Sequence, residues 1–402
     1  MQYENVFIPY GGYWSTPFCK WQGSFASQQP IPFAATVATR ALEERRIDPG
    51  AIDGLCLGTT VPSRHSFYGG PWLAGRMGMT ELTGPTISQA CATSARCVVH
   101  AAQEIETGGA HAFLALTADR TSNGPHIYYP NPAGMGGTGD TENWVVDNFG
   151  HDPFAANSMI ETAENVAREA HIERGEQEEL ALLRHEQYAR AQRDGAAFHK
   201  RYMITPVEVR DTRGRKVLAT VDGDEGVFPT TAEGLQRLKP VVREGTVTFG
   251  TQTYPADGNA AMILTDSARA RELSSNPSIE IRLVSHGQAR VAKGLMPKAN
   301  VPATRLALSR AGIGVNDLEA VTTHTPFAVN DIFLSRELGI DPKKMNGYGC
   351  SLIWGHPQGP TGMRSVIELV EELAESGGGY GLFTGCAAGD SAAALVVKVS
   401  IH

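Results

Sequence analysis

Twice along this 402-residue chain a strand-like stretch runs into a turn bearing a reactive side chain, then a helix, a glycine stop and another strand. In the first copy Pro85–Ala90 is the short strand and Cys91-Ala92-Thr93-Ser94-Ala95 opens the helix. Ala95, Val98, Ala102 and Ile105 recur at spacings of three and four, which puts them on one helical face. Gly108-Gly109 ends that helix and His111–Ala118 returns as a strand. In the second copy Asn346–Trp354 is a glycine-containing approach and His356-Pro357 a tight turn. Met363, Ile367, Val370 and Leu373 mark the helix, Gly377-Gly378-Gly379 stop it, and Tyr380–Gly385 and Ala392–Val399 follow as adjacent strands. A helix over Ala34–Arg45, an Asp48-Pro49-Gly50 turn and a strand around Ile52–Gly58 fit the same plan. Such alternation predicts an α/β fold made by duplication, with Cys91 and His356 at corresponding points that meet at the junction.

Between the copies, Thr121–Arg243 has a different texture. It holds a Gly/Pro/Asn loop (Asn131–Asp140), two charged helices (Met159–His171 and Gln177–Asp194) and a strand-like Thr205–Arg210, the makings of an inserted subdomain. Lys200, Arg201, Arg210, Arg213, Arg215 and Lys216 gather there, either as a solvated face or in contact with an anionic cofactor. The chain as a whole carries 35 Lys+Arg against 43 Asp+Glu, a net charge of −8, which argues against a protein that coats nucleic acid. With 42% hydrophobic and 19% charged residues, bulk disorder is excluded. No run approaches the roughly 18–20 apolar residues of a membrane span. Met1-Gln2-Tyr3-Glu4-Asn5 lacks the basic and apolar regions of a signal peptide, so a cytoplasmic protein is expected.

Six cysteines, at 19, 56, 91, 97, 350 and 386, form neither a CxxC pair nor a zinc-type spacing, so thiols and no metal site are expected. A cysteine at a helix N-terminus sits in the positive end of the macrodipole, among free backbone N–H groups. That placement predicts a lowered thiol pKa and a nucleophile at Cys91. Cys97 lies inside the helix and is expected to pack. His356, held between Gly355 and Pro357, is the natural base. Cys386 enters the small-residue loop Ala387-Ala388-Gly389-Asp390, whose N–H groups can stabilise an oxyanion. His324, in Thr323-His324-Thr325-Pro326-Phe327, is a fourth candidate.

These residues carry a family resemblance over essentially the whole chain, in order. Cys91-Ala92-Thr93-Ser94 resembles the nucleophile motif of thiolases, and Leu116–Pro125 the AGG-E-MS-x-x-P segment that follows it. Met159-Ile160-Glu161-Thr162-Ala163-Glu164-Asn165 is similar to the loop-domain M-G-x-T-A-E-N motif. Gly245-Thr246-Val247-Thr248 through Asp257-Gly258 resembles the strand that re-enters the first core domain. Gly355-His356-Pro357 with Gly359 and Gly362 matches GHP-x-G-x-x-G, and Cys386–Gly389 resembles the C-x-G-G block.

The resemblance implies a thiolase fold: duplicated βαβαβαββ core domains in five α-β-α-β-α layers with an inserted loop domain. Residues 1–120 with 244–272 would form the N-terminal core, 121–243 the loop domain for coenzyme A and substrate, and 273–402 the C-terminal core. It implies a CoA-dependent enzyme that cleaves or condenses a 3-oxoacyl-CoA through an acyl-cysteine, with coenzyme A as co-substrate and no bound cofactor. Cys91 would carry the acyl group, His356 activate it, and Cys386 move the proton of the enolate carbon or the incoming CoA sulfur. His324 would help hold a thioester oxyanion with His356, and the N–H groups of Cys91 and Ala388 would form the other oxyanion hole. Thr253, Ser158 and Met159 would line the CoA site. A homodimer or dimer of dimers is implied as well.

Four departures mark this chain within the pattern. Thr325-Pro326 replaces Glu-Ala beside His324, and Ala387-Ala388 stands where glycine is usual. Ser158 takes the place of a channel histidine, and Val227-Phe228 that of an arginine near the CoA nucleotide. With Tyr128, Tyr129, Trp144, Phe149 and Phe154 in the inserted segment, they point to a bulky aromatic or branched acyl group. A thiolase of the benzoylsuccinyl-CoA type, which works with a small zinc-binding OB-fold subunit, is one such relative. An acetoacetyl-CoA thiolase is the alternative. A ketoacyl-synthase-like condensing enzyme would lack Cys386, and a non-catalytic acyl-CoA-binding protein would lack one of Cys91, His356 and Cys386.

Overall fold

The computed structural model describes residues 2–211 and 213–402. Its two main sheets share one plan. In the first, strands Tyr13–Ser15, Ala256–Thr265, Ala112–Arg120, Gly54–Gly58 and Thr86–Ile87 lie side by side in that order. In the second the order is Ile279–Arg290, Ser391–Ile401, Gly379–Ala387 and Leu318–His324. The pairing senses also correspond. Gly54–Gly58 runs parallel to Ala112–Arg120 as Leu318–His324 does to Gly379–Ala387, and the next strand is antiparallel in both. The duplication expected from the repeated pattern is therefore present in the hydrogen-bonding order.

The helices Thr93–Glu106 and Gly359–Ser376 lie between the two sheets, and both touch strands of each. Their apolar stripes, including Val98, Ala102, Ile105, Ile367, Val370 and Leu373, form one buried core with the inner faces of both sheets. Pro30–Arg45 and Gly69–Arg76 cover the outer face of the first sheet, and Asn300–Ala311 that of the second. The result is a five-layered α-β-α-β-α arrangement. Gly362 permits the central crossing: a Cβ there would stand 3.0 Å from Phe383 and 3.2 Å from Ser94. The Gly359–Ser376 helix starts with Pro360 in its first turn and ends at Gly377 with φ 99°.

The insertion follows from the same plan. Strands Gly379–Ala387 and Ser391–Ile401 are joined by the tight turn Ala388-Gly389-Asp390, whereas their counterparts Ala112–Arg120 and Ala256–Thr265 are joined by 121–255. That segment carries two small hairpins and the helices Met159–Glu169 and Arg174–Ala191. Residues 245–255, expected to belong to the returning strand, approach it in irregular backbone, and the strand begins only at Ala256. The basic residues of the insertion do not form one cluster. Arg201 pairs with Glu371 and Glu375, Arg210 with Glu208, and Arg213, Arg215 and Lys216 lie exposed. No helix of the described residues is long and apolar enough to cross a membrane.

Candidate active site

Cys91 lies two residues before its helix, which starts at Thr93 rather than at the cysteine. The turn is held by Ala92 N–H to Gln89 O and Thr93 N–H to Ala90 O, and Ala90 takes φ 44° to make it. His356 reaches the same point from the other half. Gly355 before it has φ 88°, and a Cβ there would come within 2.9 Å of Ala256 Cβ, so glycine is required. His356 N–H donates to Tyr254 O, which fixes the turn against the returning strand.

The two side chains meet: His356 Nε2 is 3.2 Å from Cys91 Sγ, and His356 Nδ1 is 2.6 Å from Thr361 Oγ1. Facing a thiol, Nε2 serves as the acceptor, which places the ring proton on Nδ1 for Thr361 to receive. The N–H groups of Ala388 and Cys91 both bear on the Cys91 sulfur. They are the backbone donors an oxyanion on a thioester at this sulfur would meet.

Electrostatics correct one expectation. Burial pushes the Cys91 thiol up to about 12, outweighing the N–H groups of Ala388 and Cys91, which lower it. Burial also drives the His356 imidazole down to about 3. The resting pair is therefore neutral thiol and neutral imidazole, and the nucleophile arises when the proton passes to Nε2 during reaction. The helix terminus alone does not create a standing thiolate, because desolvation of the charged form is the larger effect.

His324 ends the strand Leu318–His324 and lies over His356, ring centroids 4.1 Å apart. The Cys91 sulfur and one nitrogen of each of these rings fall within 4.8 Å of one another. His324 Nδ1 is 2.8 Å from Ser351 Oγ, which already accepts the Thr325 N–H at 2.9 Å. The Ser351 hydroxyl proton is thus free for Nδ1, leaving the ring proton on Nε2. That Nε2 is buried with no protein partner, a donor left for a substrate oxygen. Burial and the neighbouring His356 hold His324 well below the usual histidine range, so it is a neutral donor.

Cys386 is the last residue but one of the strand Gly379–Ala387 and is fully buried. Asn330 Nδ2 donates to its sulfur at 3.1 Å. Burial and then the neighbouring Cys91 raise its thiol well above the ordinary value, so it too rests protonated. The altered Thr325-Pro326 pair is accommodated by Asp331. Its carboxylate accepts from Thr323 (2.7 Å), Thr325 (3.0 Å) and Asn346 (3.1 Å) and pairs with the buried Arg184 at 2.8 Å. Asp119 ties the first half to the second, accepting from Thr59, Thr60, Val61 and, at 2.8 Å, from Gly359 N–H.

The structure thus brings together Cys91, His356, His324, Cys386 and Ala388, and among the described residues Thr253, Ser158 and Met159 make no hydrogen bond to these five. Thr253 borders the site through its N–H to Pro326 O, but its hydroxyl donates to Ser351 O. Ser158 caps the helix Met159–Glu169 in a capping box with Glu161, and Met159 packs against the neighbouring core. Thr361, Ser351, Asn330 and Gln358 were not singled out in the sequence. Thr361 and Gln358 lie within the matched GHP-x-G-x-x-G stretch, whereas Ser351 and Asn330 carry no local signal.

Two family models cover the chain: Thiolase, N-terminal domain, over residues 13–268 and Thiolase, C-terminal domain, over residues 278–399. The chain belongs to the thiolase family. Beta-ketothiolase BktB of Cupriavidus necator is 32% identical over 94% of this chain and 95% of its own length. The acetyl-CoA acetyltransferase of Shinella zoogloeoides is 30% identical over 94% and 95%. Human mitochondrial 3-ketoacyl-CoA thiolase in complex with CoA superimposes with a TM-score of 0.89, at 27% identity and 98% coverage of each chain. This thiolase is accordingly an acyl-CoA acyltransferase, with coenzyme A as a substrate.

Proposed function

We propose that this thiolase cleaves or condenses a 3-oxoacyl-CoA through an acyl group carried on Cys91. The Cys91–His356 contact at 3.2 Å, with two backbone N–H groups on the same sulfur, carries the reading. In thiolysis the Cys91 sulfur attacks the 3-oxo carbon as His356 Nε2 takes its proton. The C2–C3 bond breaks, and the electron pair becomes the enolate of the shorter acyl-CoA. Cys386 protonates its C2 while His324 Nε2–H and His356 Nε2–H hold its oxygen. The thiol of free CoA then attacks the acyl-Cys91 thioester, giving its proton to the Cys386 thiolate while the N–H groups of Cys91 and Ala388 hold the oxyanion; collapse breaks the acyl–Cys91 bond, and the Cys91 sulfur recovers its proton from His356 Nε2.

The acyl group we assign is a non-standard one, bulky and aromatic or branched, of the kind benzoylsuccinyl-CoA presents. The support is chemical: Thr325-Pro326, Ala387-Ala388 and Phe228 alter the surroundings of the reacting groups and of CoA. Tyr128, Tyr129 and Phe154 are exposed and Trp144 donates to Thr60 O, so these rings form no closed pocket within one chain. The reading therefore calls for completion by a second copy or by a small zinc-binding OB-fold subunit. Thr253, Ser158 and Met159 remain the assigned CoA contacts, with 121–243 as the loop domain between cores 1–120 plus 244–272 and 273–402.

The test is a panel of 3-oxoacyl-CoAs with free CoA, products followed by mass spectrometry. Cleavage of benzoylsuccinyl-CoA well ahead of acetoacetyl-CoA supports the assignment. Fast acetoacetyl-CoA thiolysis alone makes this an acetyl-CoA acetyltransferase.

A further inference from the structure

Gln358 occupies the one unspecified position between Pro357 and Gly359 in the catalytic turn. Its backbone takes φ 61°, ψ −103°, a conformation that side-chain-bearing residues avoid and glycine accepts. The side chain is only 7% exposed. Its carboxamide oxygen lies 3.5 Å from Cys91 Sγ, the carboxamide's one polar contact among the described residues; the amide nitrogen has no protein acceptor. Strain of this kind persists where function requires it. Here it aims a buried donor-acceptor group at the nucleophile instead of at any structural partner.

We propose that Gln358 is a specificity-determining residue that reads the acyl group on Cys91 and favours acyl chains bearing a carbonyl, hydroxyl or carboxylate oxygen near the thioester. The inference rests on Cys91 as the acyl carrier. The thiol's one proton goes to His356 Nε2, and after acylation the sulfur carries none, so the carboxamide has no protein partner beside the acyl group. Beside a plain alkyl chain it finds no partner in the protein. Beside an oxygen-bearing chain its N–H groups find an acceptor. A site built to hydrogen-bond a substrate group discriminates strongly against the analogue that lacks it.

Three six-carbon probes test this: 3-oxohexanoyl-CoA, 3,5-dioxohexanoyl-CoA and 3-oxoadipyl-CoA, which place butyryl, acetoacetyl and succinyl groups on Cys91. We expect kcat/KM for at least one oxygen-bearing probe to exceed that for 3-oxohexanoyl-CoA by about tenfold or more, ~1.4 kcal/mol. Preference for the dioxo probe indicates a neutral oxygen, and preference for the adipyl probe a carboxylate. Gln358→Leu and Gln358→Gly should bring the ratio close to one, and the glycine variant, relieved of strain, keeps the fold. A wild-type ratio at or below one, or a ratio unchanged in both variants, overturns the role of Gln358. Intact-protein mass spectrometry separates the two readings. Butyryl and oxygen-bearing adducts that form on Cys91 equally well defeat only this inference, whereas no adduct on Cys91 defeats the acyl-carrier reading beneath it.

Discussion

Replacing Ser351 by alanine removes one oxygen on which two groups converge. The Thr325 N–H would lose its acceptor at 2.9 Å and His324 Nδ1 its partner at 2.8 Å. An orphaned, buried backbone N–H costs about 1–3 kcal/mol of stability. For catalysis the second loss matters more, because the serine proton on Nδ1 is what leaves Nε2 protonated toward the substrate. One neutral hydrogen bond is worth about 0.5–1.5 kcal/mol, so losing the tautomer bias alone slows enolate formation roughly three- to tenfold. Complete loss of an oxyanion donor would cost about 10²–10³. The two half-reactions can be read separately: acylation of Cys91 by acetyl-CoA, which expels a thiolate and forms no enolate, by mass spectrometry, and enolate formation as deuterium exchange at C2 of acetyl-CoA. Exchange should fall about three- to tenfold while acylation stays within about twofold. An asparagine at position 324 has an N–H donor without a tautomer to set, so Ser351→Ala should matter little in a His324→Asn background. Equal losses in both half-reactions, or undiminished exchange, would refute the role given to Ser351.

Cys386→Ala should abolish C2 exchange and lower turnover by about 10²–10⁴, while an acyl group still accumulates on Cys91. Both groups of the Cys91–His356 pair stay neutral over a wide span, since His356 gains a proton only near pH 3 and Cys91 loses one only near pH 12. Alkylation of Cys91 by iodoacetamide should therefore run faster than with a model thiol, through His356, and show no titration midpoint between about pH 5 and 9; a midpoint near 7 would indicate a preformed ion pair. Arg184→Met strands the buried Asp331 carboxylate and should cost about 3–5 kcal/mol in thermal or denaturant unfolding. Arg243→Met, at a fully solvated pair, should leave the unfolding midpoint in place.

Much of the architecture was legible because two physical signals recur. The three-and-four spacing of Val98, Ala102 and Ile105 and of Met363, Ile367 and Val370 identified the two central helices, and both bury those faces. Glycine stops at 108–109 and 377–379 set their ends. Cys91, His356 and Cys386 stood out because each sits at the end of an element, flanked by small or rigid residues. What the spacing could not carry was long-range. Ser351 and Asn330 reach the site through His324 and Cys386, partners 27 and 56 positions away in the chain. Asp331 compensates for the altered Thr325-Pro326 pair by folding back from the next helix, a contact no local pattern encodes. The thiol pKa was misjudged for a related reason: the macrodipole is local and readable, whereas desolvation depends on everything packed around the sulfur.

The central claim is that Cys91 becomes the acyl carrier. Rapid quenching of the enzyme with a cleavable 3-oxoacyl-CoA, followed by peptide mass spectrometry, reads it directly. The account predicts one acyl group on Cys91, lost on addition of free CoA and absent in Cys91→Ala. An adduct on Cys386, or turnover that survives in Cys91→Ala, would contradict it.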